Sequence, residues 1–258
     1  MRVATMDVKG DMGRMTHLYL IRHGEAITNV EPIIGGMRGD TGLSPLGVRQ
    51  AEALRDRLAG TREIAADVLI ASTLPRARQT AEIIAPALGL PIVWEDDVQE
   101  MRVGEADGLS LDEFARRYGV PDPERDPYRP LAPGGESWAQ FLLRVGTALH
   151  RIAHEHDGKT IAIVCHGGVI DGSLVCFFGL STQTLPTVEF QTHNTSITHW
   201  ERRARPDNRA RWRLVAYNDV AHLRDIGAVE YTHWDELRAQ PVTGADQPAV
   251  PLPTEPEA

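Results

Sequence analysis

The chain has 258 residues, which is enough for one or two domains with a substantial hydrophobic core. It carries 27 Lys and Arg against 36 Asp and Glu, so its formal net charge is −9 at pH 7. Nucleic acids and anionic membranes attract basic surfaces, so this balance argues against a nonspecific binder of either. No run approaches the roughly 20 apolar residues that span a bilayer.

Only two cysteines occur, Cys165 and Cys176, and both lie in apolar surroundings without a CxxC neighbour. This pattern excludes a disulfide framework and a cysteine-rich zinc site, and it predicts two reduced core thiols. The N-terminal residues also lack the apolar core of a signal peptide. Both observations predict a cytoplasmic protein.

Both ends of the chain have compositions that disfavour a packed structure. Residues 1–16 show no hydrophobic periodicity, and we expect them to form a loose leader. Residues 241–258 hold five prolines and three acids without Lys or Arg, so we expect a disordered tail. Residues 17–240 are predicted to form a single domain.

Short apolar runs alternate with helical patterns along this domain. Strands are predicted at 17–21, 67–71, 91–94, 160–165, 196–200 and 212–217. Helices are predicted to begin at Pro45 after the cap residue Ser44, at Pro75 and near Ser137, and to occupy 168–178. This alternation is typical of an α/β fold in which helices cover both faces of a mainly parallel sheet.

One stretch, residues 121–133, contains five prolines and interrupts the alternation. Proline fixes φ and removes a backbone donor, so the stretch is predicted to be an insertion loop. Two interpretations stay open at this point: a surface connection, or a lid that shapes the choice of substrate.

Four polar segments lie at or just beyond the ends of predicted strands. They are Arg22–Glu25 with Asn29, Ser72–Arg76, Glu100 with glycines at four-residue spacing, and Cys165–Gly168. Ligands of an open α/β sheet bind outside the carboxyl ends of its strands. The four segments therefore predict one common site.

The residue types in these segments predict phosphoryl transfer. The guanidinium groups of Arg22 and Arg76 match phosphate oxygens, and an imidazole nitrogen of His23 or His166 can act as a nucleophile. A nearby carboxyl group can serve as general acid. Because the cations already neutralise the transferring group, the site requires no metal and no cofactor.

The motifs LIRHGEA, SxxxRARQTA, Glu-xxx-Gly-xxx-Gly and VCHGG resemble the motif set of the histidine phosphatase superfamily, the phosphoglycerate-mutase-like family. The resemblance covers roughly residues 17–201. It implies a three-layer α/β/α sandwich, in agreement with the alternation of strands and helices. It also implies phosphatase activity without a metal ion.

The resemblance implies a role for each residue of the predicted site. His23 would take the phosphoryl group, while Arg22, Arg76 and His166 would bind its oxygens. Glu100 would protonate the leaving oxygen and then deprotonate the attacking water. Asn29 and the N–H of Gly167 would add hydrogen bonds to the substrate.

Several nearby residues have competing interpretations. Four other acids could replace Glu100 or be solvated surface residues: Asp96, Asp97, Glu105 and Asp107. Glu25 is expected to orient an arginine or a backbone amide. The stretch 134–137 is expected to be a turn and helix cap, and residues 193–196 to approach the rim of the pocket.

The leading function is a phosphatase that hydrolyses small phosphomonoesters through phosphohistidine, and the alternative is a cofactor-dependent phosphoglycerate mutase. Residues 33–44 differ from the Gly-Trp-containing stretch of true mutases, and residues 101–110 resemble the phosphatase branch more than the mutase branch. A metal-dependent hydrolase that uses His23, His166, Glu25 and Glu100 as ligands lacks the short histidine spacings of zinc sites. A noncatalytic module is disfavoured because both histidines are present.

The expected partner is a small phosphorylated metabolite, with no nucleic acid and no membrane. A symmetric homodimer is the commonest assembly of soluble chains, so it is the expectation for any self-association.

Overall fold

The structure is a computed structural model that describes residues 15–181, 183, 188–204 and 210–226. The predicted tail 241–258 lies outside these ranges, as does the predicted leader apart from its last two residues. Those two, Met15 and Thr16, belong to the first strand, so the strand predicted at 17–21 begins two residues earlier than expected. They pair with Arg203 and Arg202 of another strand, a partner that local periodicity cannot reveal.

Six strands form one sheet. They are β1 (Met15–Arg22), β2 (Val68–Ala71), β3 (Ile92–Trp94), β4 (Thr160–Cys165), β5 (Ile197–Ala204) and β6 (Ala210–Asp219). Their order is β3-β2-β4-β1-β5-β6. The first four are parallel to one another, whereas β5 is antiparallel to both β1 and β6. The predicted mainly parallel sheet is confirmed.

Six α-helices accompany the sheet in the described ranges. They are α1 (Ile27–Val30), α2 (Pro45–Thr61), α3 (Pro75–Leu88), α4 (Leu111–Tyr118), α5 (Trp138–Glu155) and α6 (Gly167–Phe178). The predicted helix starts at Pro45 and Pro75 are confirmed, and Ser44 and Ser137 cap α2 and α5 with their side chains. The short helices α1 and α4 were not predicted, because each has too few residues to display a periodic apolar face. No helix in the described ranges is both long and apolar enough to cross a membrane.

Alternating side chains of β1 pack into two different cores. Leu18 and Leu20 pack on one face of the sheet against buried side chains of α5 and α6. Ile21 and the half-buried Tyr19 pack on the other face against α2 and α3. Because successive side chains of a strand point to opposite faces, this alternation produces the predicted three-layer α/β/α sandwich.

A third, smaller core lies beneath the loops and includes Ile34, Val103, Phe114 and Ala132. Ala132 is the penultimate residue of the proline-rich loop 121–133, which contains neither helix nor strand, as predicted. Two backbone hydrogen bonds hold this loop near the start of α5: Ala139 N donates to Pro127 O, and Leu131 N donates to Glu136 O. These contacts favour the interpretation as an anchored connection.

The parallel register brings three strand ends together. Arg22 of β1 lies opposite Cys165 of β4, and Ala71 of β2 lies opposite Val164 of β4. The residues that directly follow these strands, His23, Ser72 and His166, therefore meet at one edge of the sheet.

Candidate active site

His23 follows β1 and is only 3% exposed. Its Nδ1 lies 2.6 Å from the carbonyl oxygen of Gly24, so Nδ1 carries the proton and donates it there. Nε2 therefore keeps its lone pair, which accepts a hydrogen bond from Arg76 Nε at 3.1 Å. Burial, followed by the charges of Arg76 and Arg22, lowers the pKa of His23 well below its usual value. The result is a neutral imidazole with a nucleophilic nitrogen at neutral pH.

The backbone that carries His23 is fixed from several sides. Asn194 Nδ2 donates to His23 O at 3.0 Å, and Thr195 N donates to Arg22 O at 3.0 Å. Gly24 N donates to Thr80 Oγ1 at 3.0 Å. The segment 193–196, which was expected at the pocket rim, thus forms hydrogen bonds with the backbone at the end of β1.

Arg76 lies in the first turn of α3 and forms a buried ion pair with Asp40. Its Nη1 lies 2.8 Å from Asp40 Oδ2, and the two side chains are 6% and 0% exposed. The backbone N–H of Arg76 also donates to Asp40 Oδ2 at 3.1 Å, and Nη1 donates to Gly35 O at 3.3 Å. Asp40 was not predicted as a site residue. A buried arginine requires a counter-charge, but the sequence does not reveal which acid supplies it.

Arg22 is the last residue of β1, and its Nη1 donates to the carbonyl oxygen of Thr192. Its charge acts on both imidazoles, because it contributes to the lowered pKa of His23 and of His166. Arg22 and Arg76 therefore place positive charge around both histidines.

His166 immediately precedes α6, and its ring centroid lies 5.1 Å from that of His23. Ser72 Oγ accepts from Leu74 N at 3.3 Å and lies 2.7 Å from His166 Nε2. We infer from this network that the Ser72 hydroxyl donates to Nε2, which places the imidazole proton on Nδ1. Nδ1 is buried and has no hydrogen-bond partner among the residues that the structure describes. It is a donor that a phosphoryl oxygen could satisfy.

Burial, followed by the charges of Arg76, His23, Arg22 and Arg144, lowers the pKa of His166 well below its usual value. The ring is therefore neutral at neutral pH and carries one proton, on either Nδ1 or Nε2. The sequence analysis identified Ser72 only as the first residue of the motif SxxxRARQTA. Its contact with His166, and so its effect on the tautomer, depends on β2 and β4 being neighbours in the sheet.

We expect Ser72→Ala to lower kcat for phosphomonoester hydrolysis by about 10- to 100-fold, the range for residues that orient a reacting group. The physical reason is that His166 loses the hydroxyl that selects its tautomer. Nitrogen-15 NMR of His166 should show its proton shared between Nδ1 and Nε2. The matched control is Ser110→Ala, which removes the cap of α4 and should leave kcat near the wild-type value. An unchanged tautomer together with an unchanged kcat would contradict this role.

Glu100 lies against the first turn of α6. Its Oε2 accepts from Gly168 N at 3.0 Å, and its Oε1 accepts from Met101 N at 3.0 Å. A Cβ on Gly168 would collide with Glu100 Oε1, so only glycine permits this close approach. The carboxylate is thereby held beside the segment that begins with His166.

Arg144 of α5 holds the loop that carries Glu100. It donates to the carbonyl oxygens of Asp97, Gln99 and Glu100 at 2.9, 3.0 and 3.2 Å. Glu136 accepts two hydrogen bonds from the same guanidinium, at 2.7 and 2.6 Å. The stretch 134–137 thus combines the predicted turn and helix cap with a second task, which is to orient Arg144.

The four alternative acids all have other partners. Asp107 accepts backbone N–H bonds from Gly36, Arg38 and Gly39. Asp96 accepts from Thr73 Oγ1 at 2.6 Å. The remaining contacts are Glu105 with Tyr118 and Asp97 with Arg102. None of these contacts reaches the segment that begins with His166, whereas Glu100 accepts from Gly168 N of that segment.

The structure does not bring every predicted residue into direct contact with the histidines. Asn29 Oδ1 accepts from Ala26 N at 2.9 Å and so caps the short helix α1. Gly167 is the first residue of α6. Glu25 Oε1 accepts from the Ser44 hydroxyl at 2.6 Å, and its backbone N–H donates to Gln50. Among the described contacts, the Glu25 carboxylate thus orients the cap residue of α2, whereas an arginine or a backbone amide was expected. The substrate contacts of Asn29 and Gly167 stay predictions.

Asp171 is a buried carboxyl group near the candidate site that the sequence analysis did not single out. It lies one turn into α6, and Thr192 Oγ1 lies 3.4 Å from its Oδ1. Burial, followed by the negative charge of Glu100, raises the pKa of Asp171 to about 7. In the sequence it resembles any polar residue on a helix, because the groups that surround it come from distant segments.

We expect Asp171→Asn to change how the free energy of unfolding depends on pH. The unfolded carboxyl ionises near 3.8, whereas the folded one stays protonated up to about 7. Wild-type stability relative to the Asn variant should therefore fall as the pH rises from about 4 to 7 and then stay level. The expected total change is about 4 kcal/mol, because each unit of difference between the two pKa values corresponds to about 1.4 kcal/mol.

Urea unfolding at pH 4, 6 and 8 checks this expectation. The exposed Asp56→Asn serves as control and should track the wild type at all three pH values. A constant difference between Asp171→Asn and the wild type across this range would exclude a raised pKa for Asp171.

Residues 18–220 match the family model of the histidine phosphatase superfamily, branch 1. The chain is 31% identical over 209 residues to an uncharacterized phosphatase, PhoE, of Bacillus subtilis, covering 81% of this chain and 97% of that protein. It is 29% identical over 229 residues to a metal-independent phosphoserine phosphatase of Arabidopsis thaliana, covering 87% and 90%. Other similar proteins carry the name phosphoglycerate mutase.

The solved structure of Bacillus stearothermophilus YhfR is similar in fold, with a TM-score of 0.67 and 28% identity. The similarity covers 81% of this chain and 99% of that one. The chain therefore belongs to the histidine phosphatase superfamily, as its motifs indicated. Its enzyme class is phosphoric monoester hydrolase.

Proposed function

We propose that the protein hydrolyses small phosphomonoesters without a metal ion, through a phosphohistidine intermediate on His23. The observation that carries this proposal is the fixed tautomer of a buried, neutral His23. Its Nδ1 donates to Gly24 O, so Nε2 presents a lone pair next to the guanidinium of Arg76. A nucleophile of this kind needs no separate base to remove a proton before it attacks.

In the first proposed step, His23 Nε2 attacks phosphorus and the bond to the ester oxygen breaks. The bonding electrons leave with that oxygen, which takes a proton from Glu100. Arg76 Nε, which donates to Nε2 in the resting site, transfers its hydrogen bond to a phosphoryl oxygen. Arg22 and the Nδ1–H of His166 stabilise the remaining negative charge.

In the second proposed step, water attacks the phosphorus of phosphohistidine while Glu100 takes its proton. The nitrogen–phosphorus bond breaks, its electrons return to Nε2, and inorganic phosphate leaves. His23 and Glu100 then have their starting protonation states. The same Glu100 oxygen can serve both steps because Arg144 holds the backbone carbonyl oxygen of Glu100 and Gly168 N–H holds its carboxylate.

Small substrates and metal independence have separate support. The relative from Arabidopsis carries the name metal-independent phosphoserine phosphatase. Two buried or partly buried arginines supply positive charge that a metal would otherwise provide. The negative net charge of the chain favours a small anion that enters a local positive pocket over a large polyanion.

The phosphatase and mutase alternatives differ in the acceptor of the phosphoryl group. A phosphatase passes it to water, whereas a mutase returns it to a phosphoglycerate. The segment 33–44 supplies Gly35 and Asp40 to the support of Arg76. Because this segment differs from the Gly-Trp-containing stretch of true mutases, water is favoured as the acceptor, and the mutase remains the second candidate.

Phosphorus-31 NMR with EDTA and a panel that contains phosphoserine, 3-phosphoglycerate, sugar phosphates and nucleotides tests the proposal. We expect free phosphate from at least one substrate, with no loss of rate in EDTA. His23→Ala should abolish turnover and the phosphoenzyme, because it removes the only proposed nucleophile. His154→Ala, an exposed histidine of α5, is the control and should retain both. Conversion of 3- to 2-phosphoglycerate with little free phosphate would establish the mutase.

Glu100→Gln should lower kcat by about 10²–10⁴-fold on alkyl phosphates but much less on an activated aryl phosphate. The reason is that a poor leaving group needs a proton from the enzyme, whereas an aryl oxide does not. The matched control is Glu105→Gln, whose carboxylate contacts Tyr118, and it should behave as wild type on both substrates. An equal loss on aryl and alkyl esters would argue against Glu100 as the general acid.

A further inference from the structure

We propose that His17, His199 and Glu201 form a second site, which binds a divalent transition metal of the zinc class. These residues lie on β1 and β5, on the sheet face covered by α2 and α3, and none of them belongs to the candidate active site. One ligand atom from each lies within 4.8 Å of the other two. Two imidazole nitrogens and a carboxylate oxygen are a typical ligand set for Zn²⁺.

The pairing of β1 with β5 places the three side chains together. His17 lies directly opposite Glu201, and Tyr19 lies directly opposite His199. Directly opposed and alternate residues of an antiparallel pair project from the same face. His17, His199 and Glu201 therefore form a cross-strand triangle on one surface of the sheet.

The distance between the two imidazole nitrogens is close to that of two zinc ligands. His17 Nδ1 lies 3.0 Å from His199 Nε2. Two zinc-bound nitrogens at about 2.0–2.1 Å in tetrahedral geometry are about 3.3–3.4 Å apart. A shift of a few tenths of an ångström would admit the metal between them. Both nitrogens must then present lone pairs, so the proton that they share moves to another ring nitrogen or is released to water.

The surrounding residues support this arrangement. The ring of Tyr19 stacks on that of His199, with centroids 4.0 Å apart and an interplanar angle of 11°, which fixes the orientation of the imidazole.

Glu201 has an oxygen that the protein does not satisfy with a hydrogen bond. Its side chain is 13% exposed, and its Oε2 is buried without a hydrogen-bond donor among the described residues. The charge partner of this oxygen is Arg213, with Nη1 at 3.3 Å. Arg213 is 59% exposed, so it can turn into solvent and leave the carboxylate to a cation.

The proposed metal site is remote from the candidate active site. His17 precedes His23 by six residues of nearly continuous strand, which corresponds to about 20 Å at about 3.3 Å per residue. A metal here would not take part in phosphoryl transfer. It would cross-link β1 and β5, and it would stabilise the folded state by binding that state in preference to the unfolded one.

Metal titration of the full chain tests the proposal. Protein stripped with EDTA and then freed of it is titrated with Zn²⁺ by calorimetry and with Co²⁺ by visible absorption. We expect one bound equivalent and a Co²⁺ spectrum of a four-coordinate site. His199→Gln should weaken binding more than 100-fold, because loss of a ligand should exceed the roughly 10- to 100-fold cost of losing a supporting residue. Glu201→Gln, which keeps the side-chain shape, should weaken binding about tenfold or more.

Two control variants separate this site from other histidines. His154→Ala removes an exposed histidine, and His23→Ala removes the candidate nucleophile; both should bind one equivalent with wild-type affinity. The melting temperature should rise with Zn²⁺ in these controls and in the wild type, but not in His199→Gln. The proposal is overturned if the wild type binds no metal, if His199→Gln and Glu201→Gln bind as tightly as wild type, or if binding is lost in His23→Ala.

Discussion

The parallel alignment of β1, β2 and β4 is the constraint on which the candidate site depends. These three strands end at the same edge of the sheet, and His23, Ser72 and His166 are the residues that follow them. A shift of one residue in the register would turn each side chain to the other face of the sheet. The cores on both faces oppose such a shift, because Leu18 and Leu20 pack on one and Ile21 on the other.

At this edge of the sheet, the imidazoles of His23 and His166 are neutral although charged arginines lie beside them. Arg76 is buried with Asp40 as its counter-charge, so its guanidinium stays in place when no substrate is bound. Burial and the arginines together lower the pKa of both His23 and His166. The arginines would stabilise the negative charge of a phosphate dianion in this pocket, because their N–H donors are already in position. The negative net charge of the chain does not oppose phosphate binding, because the positive charge is concentrated at the site.

The carboxyl groups of Glu100 and Asp171, both near the first turn of α6, have different surroundings. Glu100 accepts backbone N–H bonds from Gly168 and Met101, while Arg144 fixes its carbonyl oxygen. Glu136 in turn orients Arg144 through two hydrogen bonds. Asp171 has no such donors from the backbone among its described contacts, and burial beside Glu100 raises its pKa. Two neighbouring carboxyl groups thus have different environments.

The sequence by itself determined the strands, the starts of the long helices and the family, because apolar periodicity, capping serines, helix-starting prolines and motif spacing are local signals. It also pointed to Arg22, His23 and His166, which stand directly beside strand ends, and to Arg76, which lies in the first turn of the helix after β2. Only the tertiary structure decided that Asp40 neutralises Arg76, that Ser72 contacts His166 and that Asp171 lies by Glu100. It also decided that His17 meets His199 across two strands. These pairs are separated by many residues, and strand register and burial, which no local pattern encodes, bring them together.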